Sequence, residues 1–131
     1  MTSNFNRLLA IGLVAVLAIL VAATLPFAGA ANGASRGKEL FEKRCSGCHS
    51  LDRDMEGPHL GGVFGRHSGA VPSFPYSDAL KNAHITWDAA TLDRWLTDPE
   101  KSVPDTDMAF RVDKAEERTE IIRYLQTLPS K

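Results

Sequence analysis

Cys45-Ser46-Gly47-Cys48-His49 is the stretch that decides the fold, and it holds the only two cysteines of the chain. Two thiols this close admit a disulfide in an oxidising compartment. They also admit a thioredoxin-like redox pair, but that reading needs a βαβ pattern, which the sequence lacks. A structural zinc site needs four ligands, usually two cysteine pairs or a Cys2His2 set, and the other histidines do not have that spacing. Covalent haem attachment asks for what is present: two cysteines three apart, with a histidine directly after. In a helical turn, positions three apart share a side. Each thiol can then add to one of the two vinyl groups at one porphyrin edge, and His49 lies under the iron with an imidazole nitrogen to offer.

The flanking pattern is helical. From Gly37 to Cys48, Leu40, Phe41, Cys45 and Cys48 recur at helical spacing, with Lys38, Glu39, Glu42 and Lys43 outside the stripe. Gly57 to Ala70 is Gly-rich, carries Pro58 and reads as a loop. A short helix is expected over Tyr76 to Asn82, and a firmer one from Asp88 to Asp98, ended by Pro99. Val103 to Phe110 reads as extended or turn. The last helix is expected from Asp113, with Glu116 as its capping-box partner, to Leu128. The sum is an all-α domain of about four helices with long loops. So short a chain buries only a small core, which suits loops that wrap one covalently bound haem.

The N-terminus differs from the rest. Arg7 is its only charge, Leu8 to Ala23 is aliphatic, Ala and Gly throughout, and Pro26 and Ala28-Gly29-Ala30 follow. A positive start, an apolar stretch and a small-x-small site make a secretory signal. Residues 1–30 are therefore expected to be a signal peptide cleaved near Ala30, or a retained anchor in which residues 8–25 contact the membrane. Residues 31–36 would be a short linker and 37–131 the functional domain. Either way the domain is exported, to a bacterial periplasm, soluble or tethered to the outer face of the cytoplasmic membrane. The net charge of −1 over 131 residues argues against nucleic acid, because phosphate-backbone binders need a basic excess.

From Gly37 to Lys131 the chain resembles a class I c-type cytochrome, close to the mitochondrial type and its bacterial periplasmic or membrane-anchored relatives. The motifs that carry the resemblance follow in order. They are the pentapeptide, Gly57-Pro58-His59-Leu60, Gly62-Val63-Phe64-Gly65-Arg66, Phe74-Pro75-Tyr76-Ser77-Asp78-Ala79, Ile85-Thr86-Trp87, Asp98-Pro99, Pro104 to Met108 and Ile122-Arg123-Tyr124-Leu125. The resemblance implies the cytochrome c fold, one covalent haem c and single-electron transfer in a respiratory or photosynthetic chain, not enzymatic activity. It implies redox partners such as a cytochrome bc1-type donor and a terminal oxidase, reductase or photosynthetic reaction centre, met by a monomer. Two alternatives are a haem subunit of an exported oxidoreductase complex, and a haem sensor or peroxidase with a labile methionine ligand.

His49 leaves the other axial position to Met55, Met108, His59, His67 or His84. Met55 follows His49 too closely, in a segment that must first turn away. The resemblance assigns the place to Met108. It also implies that the Pro58 carbonyl accepts from the second ring nitrogen of His49, and that Arg66, Tyr76 and Trp87 satisfy the haem propionates. Gly37 and Phe41 are expected to meet Ile121 and Tyr124. Several positions depart from the family pattern. Trp95 stands where a tyrosine is usual and Leu80 where an asparagine is common. Asp105, Asp107 and Glu100 replace the usual glycine and lysines, while Arg44 keeps a positive charge. The charge near the haem edge is therefore mixed, and steering of partners by it is expected to be weak.

Overall fold

The computed structural model describes residues 28–129. Five helices appear among them: α1 (Ala28–Arg44), α2 (Asp78–Lys81), α3 (Ala89–Thr97), α4 (Pro99–Ser102) and α5 (Ala115–Thr127). There is no strand among the described residues, only one antiparallel bridge between His67 and Thr86. The signal or anchor expected over Leu8 to Leu25 lies outside the described residues.

The frame is the packing of α1 on α5, with α3 laid against α5 and α4 following α3. Ile121 of α5 is fully buried at the centre, and Phe41 and Tyr124 meet at a ring-centroid distance of 5.6 Å. Gly37 is what lets the two backbones approach. A Cβ there would lie 2.2 Å from the Glu120 carbonyl oxygen and 2.8 Å from Tyr124 Cβ. Both are fixed parts of α5, so no flexible side-chain tip can give way. Gly37→Val should cost about 1–3 kcal/mol or more through overpacking. The midpoint of guanidinium unfolding would fall with its slope unchanged; an unmoved midpoint would mean the helices part freely.

Helix ends differ from expectation in three places. α1 begins upstream of Gly37 and runs through 31–36, the stretch read as a linker. Its alanines are strong helix formers, and no proline interrupts them. Pro99 ends α3 as expected but also opens α4 as its first residue, with Asp98 Oδ1 accepting from Lys101 N at 3.1 Å. The Asp113–Glu116 capping box does not form, and α5 starts at Ala115 without a side-chain cap. Arg118 explains this. Its guanidinium donates to the carbonyls of Val112 (2.9 Å) and Asp113 (3.0 Å), and its Nε to Asp93 Oδ1 (2.7 Å). Asp113 is thereby held outside the helix and α5 is tied to α3. The reciprocal box stands instead at α3, where Asp88 and Thr91 exchange bonds of 2.7 and 2.8 Å.

Candidate functional site

The chain leaves α1 without unwinding at once. Cys45 N donates to Phe41 O at 2.8 Å and His49 N to Cys45 O at 2.9 Å, so the pentapeptide continues as turns. Leu60 N then donates to Ser50 O, Gly61 N to Leu51 O and Gly57 N to Cys48 O, each within 3.0 Å. These bonds fold residues 57–61 back along 48–51. They bring Pro58 to His49, whose Nδ1 donates to the Pro58 carbonyl at 2.8 Å. Burial lowers the His49 pKa, partly offset by that bond. The ring is then neutral at pH 7, protonated at Nδ1 and left with its lone pair on Nε2.

Two further segments complete the site. Trp87 N donates to Arg66 O at 2.9 Å and Gly65 N to Trp87 O at 2.7 Å, which sets Arg66 beside Trp87. Trp87 in turn packs on Trp95 of α3 at 5.3 Å between ring centroids. The stretch bearing Met108 is pinned at both ends, by Val103 N to Pro99 O and by Val112 N to Leu96 O, each 2.8 Å.

These segments enclose one cavity of ≈ 350 Å³. Cys45, Cys48, His49, Pro58, Arg66, Tyr76, Trp87 and Met108 all line it, so the eight residues singled out in the sequence come together. Leu80 and Trp95 line it too. Met55, His59, His67 and His84 do not. Met55 is exposed, His67 Nδ1 pairs with the Thr86 hydroxyl at 3.1 Å, and His84 sits on an exposed turn with φ +52°. His59 Nδ1 donates to Asp54 Oδ1 at 2.8 Å.

The donor set fits a covalently bound haem. The two thiols are not bonded to each other, and burial pushes the Cys45 pKa up to about 11 despite Arg44 beside it. A redox-active dithiol needs a lowered pKa, so this pair is poor for that chemistry. Gly57 gives a second test. A Cβ there would fall 2.2 Å from His49 Cε1 and 2.6 Å from Nδ1, so the imidazole lies flat against bare backbone. A ring clamped by glycine on its face and by a carbonyl on its edge is oriented as a metal-bound histidine must be.

Sequence reading did not find the bracket behind Arg66. Asp54 Oδ1 also accepts from His59 N at 2.9 Å, and Oδ2 from the Ser73 hydroxyl at 2.6 Å. The His59 and Gly61 carbonyls take two Arg66 N–H bonds, at 2.8 and 3.3 Å. The Ser73 bond, then the His59 backbone bond, holds the Asp54 carboxyl down to about 2. A depressed carboxylate contributes stability above its unfolded value and loses it as pH falls through the folded one. That window runs here from about 3.8 down to about 2. Ser73→Ala should raise the Asp54 pKa, so the bracket opens at higher pH. Carboxyl-carbon NMR titration reads this directly, and an unchanged pKa would show that Ser73 does not hold it.

A thiol pair on a helical turn, an oriented imidazole after it and an apolar cavity between helices define a c-type haem protein. The Cytochrome c family model matches residues 34–129. Cytochrome c of Euglena viridis is 49% identical over 98 residues, 72% of this chain and 96% of that protein. The cytochrome c-type cyt cy of Rhodobacter capsulatus is 43% identical over 98 residues, 73% of this chain and 49% of that longer protein. Among solved structures, cytochrome cH from Methylobacterium extorquens superposes with a TM-score of 0.68 at 40% identity, covering 72% of this chain and 97% of that one. The chain belongs to the cytochrome c family. It carries one covalently bound haem c, serves in electron transport and meets other redox proteins.

Proposed function

We propose that the chain shuttles single electrons on a haem c fastened through Cys45 and Cys48 and ligated by His49 and Met108. One observation carries this reading. Among the described residues, His49 is the only histidine and Met108 the only methionine lining the cavity. The bound haem supplies a one-electron ferric–ferrous couple. The chain sets its character. A soft Met108 thioether favours ferrous iron and raises the potential. The buried indoles of Trp87 and Trp95, with Leu80, disfavour the extra charge of ferric iron. Pro58 orients His49. Arg66, Tyr76 and Trp87 offer donors to the propionates, which burial would otherwise leave unsatisfied. With His49 and Met108 both holding the iron, the bound haem would have no open position for a substrate.

The expected setting is a respiratory or photosynthetic chain, between a cytochrome bc1-type donor and a terminal oxidase, reductase or reaction centre. Cleavage near Ala30 would release the domain into the periplasm, while a retained segment over residues 8–25 would tether it; intact mass separates the two. No helix among the described residues is long and apolar enough to cross a membrane. The test of the ligand pair is spectroscopic. The ferric protein should show the near-infrared band of a sulfur–iron bond, and redox titration should give a single one-electron step. A ferric protein without that band would overturn Met108 as ligand.

A further inference from the structure

We propose that the mouth of the haem cavity presents an acidic rim and docks redox partners that carry a basic contact face, the reverse of docking by a ring of lysines. The inference rests on the electron-carrier reading and adds the sign of the partner. Four charged residues line the cavity: Arg44, Glu56, Arg66 and Asp107. Of the two cations, Arg44 is ion-paired, and Arg66 keeps its charge but is held inward by backbone carbonyls. Arg66 is half-buried and bonded to the His59 and Gly61 carbonyls. Arg44 spends both Nη2 (2.9 Å) and Nε (3.1 Å) on Glu117 Oε2. Glu56 and Asp107 are exposed and form no ion pair among the described residues.

The acidic side extends outward. Asp105 is exposed two residues before Asp107, and its backbone N–H donates to Glu100 Oε1 at 3.1 Å. Three carboxylates therefore gather beside Met108, while Glu56 contributes a fourth from the loop that carries Pro58. Arg111, the nearest cation after Met108, pairs with Asp98 at 3.0 Å. Lys101, Arg53 and Lys43 are exposed cations without an ion pair among the described residues, and Arg53 stands three residues before Glu56. The charge that reads as mixed in the sequence is shifted toward acid at the Met108 side, because Arg44 and Arg111 are paired internally while Glu56 and Asp107 are not. Between the acids the mouth is apolar. Phe110 is 45% exposed and lines it with Ala109. A small apolar patch in a rim of one sign suits a transient partner of the opposite sign, attracted on approach and quickly released.

The test uses the holoprotein and two inorganic one-electron oxidants of opposite charge. The reduced protein gives one electron to tris(phenanthroline)cobalt(III), which becomes cobalt(II), or to ferricyanide, which becomes ferrocyanide. Stopped-flow rates are followed from low to high ionic strength. The rate with the cobalt cation should fall several-fold, and that with ferricyanide should rise. Asp105→Asn/Asp107→Asn should flatten the cobalt dependence. Ala89→Lys/Ala90→Lys changes net charge equally at exposed α3 positions that do not line the cavity, and should leave most of it. Equal flattening by both pairs, or a cobalt rate that rises with salt, would overturn the proposal. Failure of the ligand assignment is distinguishable. It shows in the near-infrared spectrum and shifts the potential, without reversing either salt dependence.

Discussion

Replacing Cys45 and Cys48 together with alanine is expected to abolish covalent haem, so that a denaturing gel stained for haem shows no band. The two thiols are the only cysteines of the chain, and both line the cavity from the turn that prolongs α1. Each single replacement leaves one possible thioether and should stain weakly. Stability should follow. Leu92, Trp95, Leu96, Ile121 and Leu125 all face the same ≈ 350 Å³ space, and apolar walls around an unfilled volume of that size lose contacts and stability. A ligand that binds only the folded chain stabilises it in proportion to its occupancy, so thermal unfolding of the double variant should also respond to added free haem. Full haem staining of the double variant would overturn the attachment.

Met108→Ala should open the sixth coordination position. The reduced variant should bind carbon monoxide readily, the potential should drop, and the near-infrared sulfur–iron band should vanish. The loss of a soft ligand that favours ferrous iron sets the sign of the potential change. Truncating a partly buried side chain also disturbs packing, so Met108→Leu is the needed companion. It keeps nearly the same volume and is tolerated in cores, yet cannot ligate iron. If ligation is the role of Met108, both variants lose the band and gain carbon monoxide binding. If the band survives in either, another residue holds the iron.

What was legible in the sequence had short-range grammar. The pentapeptide compresses attachment and ligation into five consecutive residues. The stripe of Leu92, Trp95 and Leu96 gives α3 by period alone, and all three are buried. What stayed hidden is built from residues with no period between them. Asp54, His59 and Ser73 meet because residues 57–61 fold back on 48–51, and nothing local announces that fold. Arg118 carries no local signal of its role in the sequence. Its reach to Asp93 and to two carbonyls depends on where α3 lies, and that reach moved the start of the helix that Asp113 and Glu116 had suggested. The clamp of Gly57 on His49 was equally invisible, since glycine in a loop ordinarily signals a turn, and here it signals a flat surface. Cys45, Cys48 and His49 were read from the pentapeptide and Met108, Pro58, Arg66, Tyr76 and Trp87 from the resemblance, and all eight line one cavity, whereas the sign of its rim could be read only after ion pairs were drawn.

The seam between α1 and α5 joins the two ends of the domain. Gly37 lies near its beginning and Glu120 and Tyr124 near its close, with every loop strung between them. The domain is therefore shut like a clasp. A protease that nicks one of the intervening loops is expected to cut the thread but leave the buckle fastened, with the fragments held through Phe41, Ile121 and Tyr124.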